Sequence, residues 1–357
     1  MRRSTIKDVA REAGVSLGTV NKALTDKKGI SKESKQKVLD AVKKLDYKTN
    51  LLAGSLARNA IRIGIVIPGD WEDYYNDICD GIAYEMDRLI DWKVEGITLK
   101  YAAKSADAEH QALTCFKSMH EKGINAIIFC HDNYSTYARA FEFAAAKNID
   151  VICVGIGLLD KCSSLPAVIE VDAYRCGRIA AELLENALPE NSEVIVLIGS
   201  KSVTPHIEKI KGFADRIAES GKLKLCAELE TQDDDTLSKA MTGEIIKSRQ
   251  IGGIYVATGA VSGVCDAVAE SGNAGKIKIV ATDLSNACRA NMNQKAIFAT
   301  IYQNTFLQGA MAVNLFYKRF TTDEKLAEKM LVPPVIFTKE SLLDKDKNGM
   351  FTSVTGM

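Results

Sequence analysis

The hydrophobic pattern at the start of the chain predicts two short helices joined by a tight turn. Apolar residues of the first helix recur on one helical stripe: Ile6, Val9, Ala10 and Ala13. Thr5 and Asp8 have the spacing of a capping box, and Gly14 ends the helix because glycine permits a sharp turn without a Cβ clash. Ser16 then caps a second helix. Its inward side is formed by three apolar residues: Val20, Ala23 and Leu24.

A third helix is predicted from Lys32 to Leu45, with Ser31 as its cap. Its outer face is basic and polar: Lys35, Gln36, Lys37, Lys43 and Lys44. Its inner face is apolar: Val38, Leu39, Val42 and Leu45. The first two helices form a helix-turn-helix pattern, which is typical of proteins that read DNA. Two short helices around a glycine also occur in many other helical proteins, so the pattern alone leaves a purely structural role open.

Beyond residue 60, apolar runs alternate with helical patterns. Six runs predict buried parallel strands: 61–67, 126–130, 151–154, 194–198, 253–256 and 277–281. Nine helical patterns fall between or after them: 76–90, 107–121, 136–147, 174–188, 207–220, 235–249, 260–271, 285–293 and 304–319. Repeated strand–helix units of this length predict two doubly wound parallel sheets. Ligands of such sheets bind beyond the carboxyl ends of the strands.

The charges are distributed unevenly along the chain. All 357 residues together carry 46 basic and 46 acidic side chains. Residues 1–62 alone carry 15 lysines and arginines against six acidic residues, a net charge of +9, which leaves −9 for the remainder. A basic N-terminal region on an acidic body fits phosphate binding at one end, although a solvated basic face without a partner has the same composition.

Other function classes find little support in the composition. The nine cysteines are scattered without C-x-x-C pairs, and the four histidines have no metal-ligand spacing, so neither a disulfide framework nor a metal site nor a cofactor is predicted. Nucleophile-elbow, P-loop and dinucleotide motifs are missing, so no enzyme is predicted. The sequence contains no apolar run of membrane-spanning length and starts with a predicted DNA-binding helix, so a cytoplasmic protein is expected.

The headpiece helices and the segment from Tyr47 to Arg58 closely resemble the LacI/GalR family of bacterial transcription regulators. The resemblance implies an all-α headpiece (1–47), a hinge helix (48–60), a two-lobed α/β body like that of periplasmic binding proteins (61–340) and a polar tail (341–357). It implies that the second helix lies in the major groove of operator DNA and that Leu56 wedges into a minor-groove step. The DNA-contacting positions it implies are Thr5, Ser16, Leu17, Gly18, Thr19, Asn21, Lys22, Asn50, Ala53, Leu56 and Ala57.

Four residues depart from the family pattern in the DNA-binding region. Thr49 stands where proline is usual, and Gly54 costs the hinge helix roughly 1 kcal/mol relative to alanine. Gly18 offers no side chain to a base. Lys22 replaces a common arginine, which exchanges a bidentate donor for a point charge. The operator sequence is therefore not predictable from these residues.

In the body, the resemblance implies a chain that crosses between lobes near residues 160, 290 and 325. Lobe one is expected to hold 61–160 and 291–322, and lobe two 163–288 and 323–340, with 333–337 returning as an edge element. The cleft residues expected to face an effector are Asp70, Trp71, Tyr74, Tyr75, Asn76, His131, Asp172, His206, Lys209, Asp283 and Gln303.

Some of these cleft residues have a specific expected role. One of Tyr74 and Tyr75 is expected to stack on a sugar ring, and Asp283 to accept two hydroxyl donors of a diol. Asp172 fits a helix cap as well as a ligand group, and Gln303 fits lobe-crossing support as well as ligand contact. Lys209 stands where relatives place arginine.

Taken together, the resemblance implies a homodimeric repressor of operator DNA that is switched by a small effector. A sugar or polyol is the expected effector, and a purine-like or anionic metabolite or a partner protein are alternatives. A solute receptor without regulation would fit the body alone, but the helix-turn-helix argues against it.

Overall fold

The computed structural model describes residues 6–24, 29–45, 60–70, 72–131, 137–155, 167–322 and 325–342. The chain divides into two compact units. The first contains three N-terminal helices, and the second contains nearly all of two β-sheets. Among the described residues, no helix has the length and hydropathy needed to cross a membrane.

Three N-terminal helices are present as predicted: α1 (Ile6–Ala13), α2 (Leu17–Leu24) and α3 (Lys32–Lys44), the last ending one residue before the predicted Leu45. They enclose a small core: Val9, Ala13, Val20, Ala23, Val38 and Ala41. Gly14 turns the chain with φ +64°, and the Ser16 hydroxyl accepts a hydrogen bond from the Thr19 amide at 3.1 Å. Ser31 caps α3 by accepting from the Ser34 amide at 3.1 Å. The predicted helix-turn-helix is thereby confirmed.

The body contains twelve described strands in two sheets. The first sheet is built from β1 (Ile61–Pro68), β2 (Val94–Tyr101), β3 (Ala126–Cys130), β4 (Asp150–Val154), β5 (Ala167–Val171) and β11 (Lys329–Val332). The second is built from β6 (Glu193–Ile198), β7 (Lys224–Glu230), β8 (Ile251–Ala257), β9 (Lys278–Thr282), β10 (Ala299–Tyr302) and β12 (Val335–Phe337).

Nine described helices of the body follow or connect these strands: α4 (Glu72–Arg88), α5 (Ala108–Glu121), α6 (Ala138–Ala146), α7 (Ala173–Ala187), α8 (Thr204–Ser220), α9 (Asp235–Ser248), α10 (Val261–Glu270), α11 (Asn286–Asn293) and α12 (Thr305–Thr322). The first sheet has the spatial order β2–β1–β3–β4–β5–β11, and the second β7–β6–β8–β9–β10–β12. Both contain parallel neighbours, and β12 pairs antiparallel with β10, on the edge expected for 333–337. The predicted pair of doubly wound sheets is confirmed.

Three strands correct the expected lobe boundaries. β5 and β11 lie in the first sheet, although 163–288 and 323–340 were assigned to lobe two, and β10 lies in the second sheet, although 291–322 was assigned to lobe one. The chain therefore crosses between the sheets near residues 172, 303 and 333, rather than near 160, 290 and 325. These short strands lack the long apolar runs that predicted the other strands, and only their pairing partners decide the sheet to which they belong.

Two glycines bring α4 and α12 into close contact. A Cβ atom on Gly81 would collide with the carbonyl oxygen of Phe306, and one on Gly309 would collide with that of Ile78. Each glycine thus faces the backbone of the other helix, which places the start of α12 directly against α4. Gly177 of α7 and Gly212 of α8 form the same kind of reciprocal contact between these two helices.

Candidate functional site

Two adjoining cavities, of about 540 and 330 Å³, open at the carboxyl ends of the strands in the body. They share five lining residues: Tyr74, Asp233, Gly259, Thr282 and Asp283. Other lining residues follow strands closely: Gly155 comes directly after β4, and Ser200 lies two residues after the end of β6. This is the edge at which parallel sheets ordinarily bind ligands.

Tyr74 and Tyr75 form the aromatic wall of the smaller cavity. Their ring centroids lie 5.1 Å apart with an interplanar angle of 88°, which is an edge-to-face contact. The Tyr74 hydroxyl donates to the Gly155 carbonyl at 3.4 Å. Burial, reinforced by the Asp283 carboxylate, raises the pKa of Tyr74 well above its usual value, so its phenol remains protonated.

Asp283 follows β9 in a left-handed conformation, with φ +67°. Its backbone is fixed on both sides, because its amide donates to the Ile301 carbonyl at 3.0 Å and its carbonyl accepts from the Thr300 hydroxyl at 2.6 Å. The Gln303 side-chain nitrogen donates to both carboxylate oxygens of Asp283, at 3.0 and 2.9 Å. Burial raises the pKa of Asp283, and the charge of Lys209 opposes that shift.

Gln303 combines the two roles that the sequence left open. It lines the smaller cavity, and it lies where the chain crosses from β10 to α12. Its side-chain nitrogen hydrogen-bonds the Asp283 carboxylate, and Gln303 thereby orients the carboxylate that faces the cavity.

Lys209 lies on α8 with only 3 % of its surface exposed, yet it lines the smaller cavity. Its backbone is held by close packing of α7 on α8. A Cβ atom on Gly177 would collide with the Lys209 carbonyl oxygen, and one on Gly212 would collide with that of Tyr174. No hydrogen bond or ion pair joins its ammonium group to any described residue, although its charge lowers the pKa of Asp283 and of His206.

His206 lies one turn before Lys209 and lines the same cavity. Its Nδ1 atom lies 3.1 Å from both the amide nitrogen and the carbonyl oxygen of Ser200. Burial, followed by the charge of Lys209, lowers the pKa of His206 to about 4, so the ring is neutral at pH 7.

Two aspartates of the site were not predicted from the sequence. Asp233 lines both cavities, and its carboxylate accepts from the Gly259 amide at 3.2 Å and from the Thr258 hydroxyl. Asp77 lines the larger cavity and accepts from the hydroxyls of Tyr302 and Thr305.

The sequence signal for Asp233 was the acidic run 233–235 after β7, a strand that was itself not predicted. Asp77 lies within a predicted helix and had no separate signal. Both side chains became candidates only through the residues they contact in the fold.

Three predicted effector residues lie away from the two described cavities. Asp70 accepts from the Lys104 amide at 3.1 Å. Asp172 caps α7 by accepting from the Arg175 amide at 2.8 Å, which is the capping alternative. His131 is fully buried, because it lies two residues after Phe129 on the same side of the chain and stacks on its ring at 5.3 Å.

Burial lowers the pKa of His131 to about 3, so the ring is a neutral part of the first-sheet core. Asn76 does line the larger cavity, as predicted, and Trp71 lies outside the described residues. Among the residues that the structure describes, no cluster of histidine, cysteine and acidic side chains has metal-site geometry.

The predicted DNA-contacting residues of α2 lie at the surface of the headpiece. Leu17 is 42 % exposed, Gly18 and Lys22 are also exposed, and Thr19 is half-buried. Asn21 belongs to α2, and Ser16 forms its cap. The other predicted contacts lie outside the described residues: Thr5, Asn50, Ala53, Leu56 and Ala57.

Comparison with known families and structures agrees with this architecture. Residues 5–50 match the family described as "Bacterial regulatory proteins, lacI family", and residues 63–322 match "Periplasmic binding protein domain". An ABC transporter periplasmic solute binding protein from Actinobacillus succinogenes with bound D-allose has a TM-score of 0.69 at 21 % identity, covering 78 % of this chain and 98 % of that one. GanP, a glucose-galactose binding protein from Geobacillus stearothermophilus, has a TM-score of 0.68 at 17 % identity, covering 80 % and 99 %. These likenesses show the fold of the body.

Sequence relatives include the HTH-type transcriptional regulator RegA of Clostridium saccharobutylicum, 29 % identical over 63 % of this chain and 64 % of its own length. Catabolite control protein A of Streptococcus mutans is 30 % identical over 50 % and 51 %. The chain thus spans between half and two thirds of these relatives. The regulator pepR1 of Lactobacillus delbrueckii is 24 % identical over 96 % of this chain and 98 % of its own. The chain thus combines a headpiece of the lacI family of bacterial regulatory proteins with a body that belongs to the periplasmic binding protein domain family.

Proposed function

We propose that this protein is a sequence-specific DNA-binding transcriptional repressor, acting in the cytoplasm, whose operator affinity is switched by a small polyhydroxy effector. The observation that carries the proposal is the presence in one chain of a helix-turn-helix headpiece matching the lacI family and a ligand-sized cavity at the strand ends of a binding-protein fold.

The DNA-binding half of the proposal is supported by the surface and charge of the headpiece. Leu17 and Lys22 on α2 are exposed, and residues 1–62 carry a net charge of +9. A positive surface around an exposed helix suits phosphate contacts on both sides of a major groove. Leu17 supplies apolar contact and Lys22 a point charge at that surface.

The effector-binding half is supported by the chemistry of the cavity wall. Tyr74 and Tyr75 offer apolar ring surface, and Asp283 offers two carboxylate oxygens that Gln303 holds in place. Rings that stack on apolar faces and carboxylates that accept two donors suit a sugar or polyol. A binding role, rather than catalysis, is therefore proposed for the cavity.

Coupling of the two halves requires a second copy of the chain. Two bodies would pair, place two headpieces on a pseudo-palindromic operator and bring the two hinge segments together, with Leu56 inserted between base pairs. An effector that favours a different relative position of the lobes then changes DNA affinity by linkage. An effector that prefers the DNA-free form releases the operator, and one that prefers the bound form tightens it.

The test is selection of binding sites from random duplex DNA by the full chain, followed by affinity measurement on the selected sequence. A pseudo-palindromic consensus is expected, with a steep loss of affinity as salt rises. Lys22→Ala should weaken binding, whereas Lys37→Ala is the matched control, because Lys37 lies on α3 and is already paired with Glu33 at 2.8 Å. Failure to enrich any sequence would contradict the proposal.

A further inference from the structure

The smaller cavity has a donor-rich end where α8 begins. Val203, Pro205 and His206, at the start of this 17-residue helix, all line the cavity, and no side chain caps the helix at Val203. The N-terminus of a helix carries a partial positive charge. A negatively charged ligand group placed there is stabilised by that charge.

The second observation is the buried ammonium group of Lys209. This residue is 97 % removed from solvent, lines the same cavity and makes no hydrogen bond or ion pair with any described residue. A helical side chain leans back toward the N-terminus of its helix, so the Lys209 side chain extends over the first turns of α8. A ligand that brings a negative group to this part of the cavity would form a charge-assisted hydrogen bond with the ammonium group.

His206 and Ser200 line the same cavity. The neutral His206 ring lies with Nδ1 3.1 Å from the Ser200 backbone, and the Ser200 hydroxyl shares a hydrogen bond of 2.8 Å with Ser202. Imidazole and hydroxyl groups beside a lysine can hydrogen-bond carboxylate or phosphate oxygens.

The same cavity also presents a hydrogen-bond acceptor. Asp283 lines it with a carboxylate whose position is fixed by Gln303, and the charge of Lys209 acts on that carboxylate. A carboxylate accepts hydrogen bonds from hydroxyls. A ligand that engages both Lys209 and Asp283 therefore has a negatively charged oxygen and at least one hydroxyl group.

We propose that the effector is an anionic carbohydrate, a sugar acid or a sugar phosphate, whose charged group binds Lys209 at the start of α8 while its hydroxyls bind Asp283. This inference rests on the proposed function and specifies the effector class of the same cavity.

The experiment is calorimetric titration of the full chain with matched probes: glucose, glucuronate and glucose 6-phosphate, and the corresponding galactose series. We expect at least one anionic member to bind roughly tenfold or more tightly than its neutral parent. Lys209→Gln should remove that preference, and Lys209→Arg should retain it. Lys211→Gln is the matched control, because Lys211 is exposed on the same helix and lines neither cavity.

Melting temperature provides a second readout that does not need the effector. If the Lys209 ammonium gains its ionic partner only when an anionic ligand binds, Lys209→Met removes an uncompensated charge from the free protein. The Tm of the free protein should then rise by about 2 °C or more. A structural ion-pair role would instead lower it.

Three outcomes would overturn the proposal: a neutral sugar that binds as tightly as its anionic counterparts, an anionic preference that survives in Lys209→Gln, or no binding by any anionic probe. The first of these would leave the proposed regulator function standing with a neutral effector. Only a ligand that binds the cavity without changing operator affinity would count against the switch itself.

Discussion

The Gln303 amide nitrogen donates to both carboxylate oxygens of Asp283, at 3.0 and 2.9 Å. Gln303 lies where the chain leaves β10 for α12, which begins at Thr305. The carboxylate proposed to hold the effector is thus bonded directly to a crossing between the two sheets. A ligand bound to Asp283 would therefore act, through Gln303, on the segment that connects the two sheets. In the proposed switch this segment moves when the sheets change their relative position.

Asp283→Asn should weaken effector binding by roughly 10- to 100-fold, because it removes the charge from a hydrogen-bonded acceptor. Asparagine also turns one acceptor into a donor that opposes the Gln303 amide. Calorimetric titration with the bound sugar checks this directly. Asp172→Asn is the control, since Asp172 caps α7 outside both cavities and asparagine is also a good cap. Equal affinity in wild type and Asp283→Asn would remove Asp283 from the site.

Gly212→Ala should destabilise the body by about 1–3 kcal/mol or more, because its Cβ would collide with the Tyr174 carbonyl and force α7 and α8 apart. Gly243→Ala is the matched control, because Gly243 lies within α9 and a Cβ there meets no atom within 4 Å. That change should stabilise the protein by about 0.5–1 kcal/mol.

Urea denaturation of both glycine variants measures these two free energies of unfolding. A Gly212→Ala protein as stable as wild type would show that α7 and α8 leave room for a methyl group between Gly212 and the Tyr174 carbonyl. It would also weaken the argument that this contact fixes Lys209.

Acidification should destabilise the fold through two buried histidines. The pKa of His206 is lowered to about 4 and that of His131 to about 3, both mainly by burial. Below the unfolded-state pKa of about 6.5, the unfolded chain therefore binds more protons than the folded one, and stability decreases as the pH falls.

The loss should begin near pH 6.5 and continue to about 4 for His206 and about 3 for His131, at up to roughly 1.4 kcal/mol per pH unit for each. Denaturation between pH 7 and 5 measures the slope. His131→Phe keeps a ring beside Phe129 and should give a shallower slope. An unchanged slope in that variant would mean that the pKa of His131 is the same in the folded and unfolded protein.

Leu56→Ala should lose specific operator affinity while it keeps salt-sensitive binding to unrelated DNA. The leucine is proposed to unstack a base step, and alanine is too short to do so, whereas phosphate contacts from the basic headpiece persist. Fluorescence anisotropy with selected and scrambled duplexes separates the two modes. A parallel loss of both would contradict the hinge role.

The sequence predicted the central strands of the two sheets better than their edge strands. β3, β4, β8 and β9 have long buried apolar runs, so their pattern identifies them. The edge strand β7 has a half-exposed pattern without such a run and was not predicted. The crossings were misplaced for a related reason, because sheet membership depends on long-range pairing.

The site residues likewise include some that a sequence pattern predicts and others that only the fold reveals. Asp283 and Lys209 were predicted from their positions in a family pattern, and both line the smaller cavity. His131 was misjudged because a polar residue after a strand usually marks a loop, whereas here it extends the aromatic core around Phe129. Asp77 belongs to the site through the hydroxyls of Tyr302 and Thr305, which are more than 200 positions away in sequence, and no local pattern reveals such a contact.

The most direct test of the regulator is the operator affinity of the full chain, measured by anisotropy with and without a sugar that binds the cavity, in wild type and in Asp283→Asn. The account predicts a ligand-dependent change of roughly 5- to 150-fold in wild type and little or none in the variant at the same ligand concentration. An operator affinity that is unaffected by saturating ligand in the wild-type protein would contradict it.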